Sequence, residues 1–318
     1  IFGLNQNEDV NYKDGEKIVS FSQYSNYTKC PKKWELTSLR KKSTSNESIH
    51  FVYGTAMHEV IQSFLQTLYT KSVKEANELD LSAMLLENLK KEYGERSKKI
   101  GKHFSSAEEL SEFYKDGLEI LNHIKSKRSS YFSTRDLKLI GIELNIIATP
   151  DASRPNVKAK ASLDIVFQNK KTGRYLIPDF KTSTRGWNDY KKKDKGTTDQ
   201  LVLYKKLFAD KFGIDPELID VEYFILRQKV DPDSLWPTKR IQIFKPSAGK
   251  VSINKVSKSF QEFIDSVFDE NGKHRDISHP AIGGLNYYNC KFCEFAENEE
   301  LCPKSNRLVN VQDSDNRQ

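Results

Sequence analysis

Three residues have the types and spacing for hydrolytic chemistry at a phosphate: Asp164, Asp179 and Lys181. Two carboxylates held a few ångströms apart repel each other, and a hard, oxygen-seeking cation such as Mg²⁺ or Mn²⁺ relieves the repulsion by binding both. An ion so held polarises a phosphodiester and helps to ionise a water, while an ammonium beside it orients that water or offsets charge in the transition state. The elements that must bring the three together are legible in the periodicity. In 157–167 (VKAKASLDIVF) Val157, Ala159, Ala161, Leu163, Ile165 and Phe167 take alternate positions, the pattern of a strand with one buried face, which leaves Asp164 on the polar face. KKTG supplies a turn, and in the RYLIPDFKT that follows, Asp179 and Lys181, two apart, point the same way. Two neighbouring strands therefore present all three residues. Alone, a D-x-K also describes a strand's solvated face, and the surrounding segments decide between the two.

Further on, TTDQLVLYKKLF reads as a helix start with Thr198 or Asp199 as the cap, and Gln200 and Tyr204, four apart, share one face of it. Asp164, then Asp179-Phe180-Lys181, then Gln200-x-x-x-Tyr204 resembles the PD-(D/E)XK nuclease superfamily, in particular its RecB-like branch. Leu163, rather than proline, precedes the first acid. Gly54 and His58 match the branch's G-x-x-x-H, within an amphipathic helix whose stripe is Met57, Ile61, Phe64, Leu65 and Leu68. The resemblance implies a divalent ion held by His58, Asp164 and Asp179, with the main-chain carbonyl of Phe180 as a further ligand. It implies that Lys181 assists the attacking water, and that Gln200 and Tyr204 position either the scissile strand or Lys181. An imidazole ligand favours Mn²⁺ somewhat over Mg²⁺, nitrogen being softer than oxygen. Glu143, in the strand-like LKLIGIELNIIA, stands where these nucleases commonly carry a glutamate; it reads as a contact to the metal site, a member of a hydrogen-bond network or a solvated carboxylate.

The four cysteines are asymmetrically placed, with Cys30 near the start and Cys290, Cys293 and Cys302 close together near the end as C-x2-C-x8-C. Nothing in the sequence points to secretion, so shared ligation is preferred to two disulfides. From the spacing alone, four thiolates serve Zn²⁺ or an iron-sulfur cluster equally. The segment SQYSNYTKCPKKW, with Ser22 as a helix cap, and Cys302-Pro303 resemble the iron-sulfur subset of RecB-like nucleases, which includes the CRISPR-associated RecB-like exonuclease and the AddB nuclease domain. That resemblance implies a [4Fe-4S] cluster clasping the two ends of the domain.

The 318 residues suffice for a catalytic core with an insertion, and a net charge of +7 agrees with a polyanionic partner without identifying one. No apolar run approaches the roughly 20 residues of a membrane span. IFGLNQNEDV lacks the make-up of a signal peptide, so a cytoplasmic protein is expected, of a bacterium or of a virus-infected cell. Gly249-Lys250 lacks the leading glycine of a phosphate-binding loop, since Phe244 stands in its place, and so no ATPase motor is expected. Between Lys181 and Gln200 a polar run reads as loop, ordered only with substrate. Arg185, Lys191, Lys192 and Lys193 are available there for phosphates, and Trp187 or Tyr190 for stacking on a base.

The expected architecture is an α/β PD-(D/E)XK (restriction-endonuclease-like) core, a central mixed β-sheet flanked by helices. Residues 1–20 form a flexible arm, 21–303 the nuclease domain with a helical insertion of two or three helices over 72–132, and 304–318 a tail. The expected function is metal-dependent DNA cleavage, as an exonuclease on single strands or free ends, with a helicase or another recombination or repair protein as partner. The alternatives are a catalytically inactive nucleic-acid-binding module that keeps the fold and the cysteine clasp, and a zinc-clasped interaction protein.

Overall fold

Apolar alternation at period two yields the strands and apolar spacing near 3.6 yields the helices. The computed structural model describes residues 15–42, 47–231, 238–284 and 287–308. In chain order these form β1 (Lys17–Ser20), α1 (Phe21–Lys29), α2 (Pro31–Trp34), a π-helical turn (Glu35–Leu39), α3 (Ile49–Thr70), α4 (Val73–Glu78), α5 (Leu81–Ile100), α6 (Ala107–Ser126) and α7 (Arg128–Tyr131). Then come β2 (Leu137–Ala148), β3 (Val157–Asn169), β4 (Tyr175–Ser183), α8 (Asp189–Lys193), α9 (Lys195–Phe212), β5 (Ile219–Arg227), β6 (Ile241–Phe244), α10 (Lys250–Val267), β7 (Ala281–Ile282) and β8 (Arg307–Leu308). The described residues divide into two compact units, one from 47–146 and 162–253, the other from 15–42, 147–161 and 254–308.

In the first unit β3 and β4 form the expected hairpin, antiparallel with Phe167 opposite Leu176. Gly173 turns it at a φ of 71°, a backbone region that glycine enters without a Cβ clash. β2 pairs with β3. β5 lies parallel to β4, with Asp179 beside Tyr223 and Lys181 beside Ile225, and β6 runs antiparallel to β5. A parallel pair needs a crossover, and α8 with α9 supplies it. The sheet is mixed and flanked by helices, as expected, and the order α3, β2, β3, β4, α9, β5 is the expected core order.

Ser48 caps α3 by accepting from the His50 N–H at 3.3 Å, and the whole stripe Met57, Ile61, Phe64, Leu65 and Leu68 is buried. Burying each such side chain stabilises the unit by about 1.5–3 kcal/mol, which makes α3 a rigid carrier for His58. The expected insertion is helical, as α4 to α7, more segments than foreseen; Ser106 caps α6 by accepting from the Glu109 N–H. Here α6 approaches closely, since a Cβ on Gly117 would sit 2.6 Å from Leu85 Cδ2 and 3.1 Å from Met57 Sδ.

In the second unit, residues 17–20 are not a loose arm: β1 pairs parallel with β3, Lys17 opposite Val157. The rest of the expected arm, 1–14, lies outside the described residues. Ser20, not Ser22, caps α1 by accepting from the Gln23 N–H at 3.4 Å. The expected tail begins as ordered structure, a short 3-10 turn at Lys304–Asn306 and then β8, and 309–318 lie outside the described residues. Tyr27, Trp34, Phe263 and His279 cluster together, with Trp34 fully buried in the core and Tyr27 half-buried against it.

His279 is buried at 4 % exposure, and burial holds its imidazole below the usual histidine range despite the nearby Glu35 carboxylate. The folded state therefore resists protonation, while the unfolded chain accepts a proton below about pH 6.5. Stability is fully present above that pH and declines as the pH falls through it. Thermal unfolding followed from pH 8 to pH 5 should show a falling Tm, and His279→Gln should flatten the fall. An equally steep fall in that variant would assign the acid sensitivity to other groups.

Candidate active site

α3 carries His58, β2 Glu143, β3 Asp164, β4 Asp179 and Lys181, and α9 Gln200 and Tyr204, all in the first unit. Continuing the β3–β4 register would set Asp164 opposite Asp179, but the pairing stops at Phe167 and Leu176. Where the strands part, the Asp164 carboxylate enters the gap and its Oδ2 accepts the Phe180 N–H at 2.7 Å. His58 Nδ1 stands 3.7 Å from the same oxygen. Among the described residues, His58, Glu143 and Asp164 form the one group of three whose ligand atoms all lie within 4.8 Å of one another.

Asp179 stands outside that group, against the expected trio. Its Oδ2 ion-pairs with Lys181 Nζ at 2.6 Å, and its Oδ1 accepts from Gln200 Nε2 at 3.5 Å. Gln200 Nε2 also donates to the Tyr204 hydroxyl at 3.0 Å, so the glutamine and tyrosine meet at the D-x-K strand as their spacing implied. The third residue of the compact group is Glu143, one of whose readings was a metal contact. It sits at a φ of 48°, a left-handed conformation that is uncommon for a residue with a Cβ and is seen where strain serves a site. Gln62 donates to its Oε1, and Ser162 to its Oε2 at 3.1 Å. Gln62 follows His58 by four residues, so one helix face delivers a candidate ligand and a clamp for its neighbour.

The electrostatics favour a cation. Burial, then the negative charge of Asp179, raises the Asp164 carboxyl well above the usual carboxylate range. Burial lowers the His58 imidazole, leaving it neutral with a lone pair to give. Burial works against the Lys181 ammonium, yet the Asp179 and Asp164 carboxylates outweigh it and keep the lysine protonated. The acidic groups outnumber the one ammonium and the imidazole is neutral, so a cation is favoured, and this donor set of oxygens and one nitrogen suits Mg²⁺ or Mn²⁺.

The family model of the PD-(D/E)XK nuclease superfamily matches residues 18–302. The chain belongs to the PD-(D/E)XK nuclease superfamily. Superfamily members are phosphodiester hydrolases that use divalent metals, and the His58, Glu143 and Asp164 group could hold one. Comparison with curated proteins gives no match.

The segment following the superfamily's D-x-K strand is more ordered than a loop. Asn188 caps α8 by accepting from the Lys191 N–H at 2.9 Å. α9 begins at Lys195 after Asp194, earlier than a Thr198 or Asp199 cap allows. Trp187 does not offer its ring outward; it packs on Tyr223 at 4.7 Å between centroids, and Gln242 grips both its N–H and its carbonyl. Tyr190, at 89 % exposure, is the outward aromatic, with Arg185, Lys191 and Lys193 exposed and Lys192 half-buried beside it.

The cysteines lie together in the second unit, where Cys30, Cys290, Cys293 and Cys302 line one cavity with Lys33 and Arg307. Cys30 ends α1 and receives the Ile282 N–H at 3.3 Å. Consecutive turns present the other three: the Cys293 N–H donates to the Cys290 carbonyl at 3.1 Å, and the Cys302 N–H to the Asn298 carbonyl at 2.9 Å. None of the four is in a disulfide, and burial pushes the Cys290 and Cys293 thiols up, so ionising these two is costly without a cation to bind. Among the described residues no helix is long and apolar enough to cross a membrane.

Proposed function

We propose that the protein is a RecB-like iron-sulfur deoxyribonuclease acting as an exonuclease on single-stranded DNA or free DNA ends. The observation that carries this reading is the convergence of His58, Glu143 and Asp164 beside the Asp179–Lys181 pair. His58, Asp164 and Asp179 would hold Mg²⁺ or Mn²⁺, with the Phe180 carbonyl and Glu143 as further ligands. When bound, the ion polarises the phosphodiester and lowers the pKa of a water. Lys181, held protonated by Asp179, cannot take a proton; its ammonium orients the water and offsets charge on the phosphoryl oxygens. Gln200 and Tyr204 hold Asp179 and the approaching strand. Arg185, Lys191, Lys192 and Lys193 meet its phosphates, and of the two aromatics Trp187 and Tyr190 it is the exposed Tyr190 that stacks on a base.

A [4Fe-4S] cluster on Cys30, Cys290, Cys293 and Cys302 is preferred to zinc. The preference rests on the resemblance of the Cys30 segment and of Cys302-Pro303 to the iron-sulfur subset of RecB-like nucleases, since four thiolates serve zinc as well. A helicase or another recombination or repair protein in the cytoplasm would deliver free ends.

Single-stranded DNA labelled at either end, incubated with Mn²⁺, Mg²⁺ or chelator, tests the proposal. Stepwise shortening with either ion and none with chelator is expected. DNA left intact under every divalent-ion condition would refute it, and shortened RNA with intact DNA would reassign the substrate.

A further inference from the structure

Tyr223 belongs to none of the sequence motifs, yet it touches the site from three sides. It lies directly beside Asp179 in the parallel β4–β5 register, on the same face, and is fully buried. Its single hydroxyl proton is shared between the Thr197 carbonyl in the first turn of α9, the nearer acceptor, and Gln200 Oε1 at 3.3 Å. Its ring underlies the Lys181 ammonium, 5.8 Å from Nζ to the centroid, close enough for a cation–π attraction. The opposite demands of its neighbours fix the Gln200 amide. Asp179 can only accept, so Nε2 must face it, and Oε1 then needs a donor behind it, which the Tyr223 hydroxyl provides by sharing its one proton between Oε1 and the Thr197 carbonyl. The Trp187 and Phe244 rings pack on Tyr223 in turn, which holds it in place.

We infer that Tyr223 is a positioning residue of the nuclease site: it anchors the start of α9, sets the Gln200 amide toward Asp179 and supports the Lys181 ammonium from below. This rests on the nuclease reading above. Tyr223 touches neither substrate nor ion and acts through Gln200 and Lys181.

Tyr223→Phe keeps the ring and its packing and removes only the hydroxyl. Its kcat on single-stranded DNA with Mn²⁺ should fall about tenfold with KM unchanged, the loss of one orienting hydrogen bond. In a Gln200→Ala background the same substitution should cost clearly less, because only the Thr197 anchor is then left to lose. An unchanged kcat, or an equal loss in both backgrounds, would overturn the inference.

A second measurement needs no catalysis. In protein carrying ¹⁵N-labelled glutamine, the Gln200 side-chain amide signals are assigned by their disappearance in Gln200→Ala. In the native protein they should be dispersed and slow to exchange with water, and in Tyr223→Phe they should move toward free-glutamine positions and exchange faster. Identical Gln200 signals in the two proteins would also overturn the inference. Should native protein cleave no DNA with either ion, the nuclease reading fails, and the amide signals still decide whether Tyr223 holds Gln200.

Discussion

Asp164→Asn should abolish divalent-ion-dependent DNA cleavage, by on the order of 10³-fold or more, while the metal-free protein keeps or gains stability. The two effects have one cause. Asp164 is half-buried beside Asp179 and Glu143, which disfavours its charged form, and binding a cation offsets that cost. An amide removes the repulsion, and its oxygen still accepts the Phe180 N–H, so the fold loses nothing. Addition of Mn²⁺ should raise the Tm of the native protein and leave that of the variant in place. Lys181→Ala makes the complementary case: cleavage should fall at least about 10²-fold while the Mn²⁺-induced rise in Tm persists, since an ammonium is no ligand. Full cleavage in either variant, or loss of the Mn²⁺ response in Lys181→Ala, would remove these residues from their proposed roles.

Cys302→Ser should damage the fold more than the chemistry. Cys302 is buried in a small core with Leu36, Ala281 and Phe295, which joins stretches of chain far apart in sequence. The metal or cluster proposed for the four thiolates would add stabilisation, and removing one ligand should lower the Tm by more than about 10 °C. Anaerobically purified native protein should carry iron and acid-labile sulfide with absorbance near 400 nm, which the variant should lose. Stoichiometric zinc without sulfide would replace the cluster with a structural zinc and leave the stability prediction standing. A variant as stable as the native protein would end the clasp proposal altogether.

The parts of the site that were legible in the sequence are those with a local period. Alternation in β3 and β4 announced Asp164, Asp179 and Lys181, and spacing of four announced Gln200 with Tyr204. The apolar stripe of α3 announced the helix that carries His58. The role of Glu143 was one of three open readings because its positive φ breaks the alternation of β2, so counting by twos cannot say which way it points. Trp187 was given an outward ring because a polar run surrounds it; the Gln242 grip that turns it inward comes from β6, distant in sequence. The early start of α9 has the same origin, since Tyr223 on β5 holds the Thr197 carbonyl and Asp194 accepts from the Thr197 hydroxyl. Lys195-Gly196 has no helix signal of its own.

The second unit is assembled from three separated stretches of chain, and Leu36 finds Ala281, Phe295 and Cys302 only across nearly the whole length of the sequence. On the ribosome, at about 5–20 residues per second, roughly a quarter of a minute to a minute passes between the synthesis of Leu36 and that of its partners. The nascent amino-terminal segment must stay open throughout that delay, with the Cys30 thiol exposed to oxidants and stray metal ions. Slowing translation should therefore lower the yield of correctly loaded protein, even when every chain is completed.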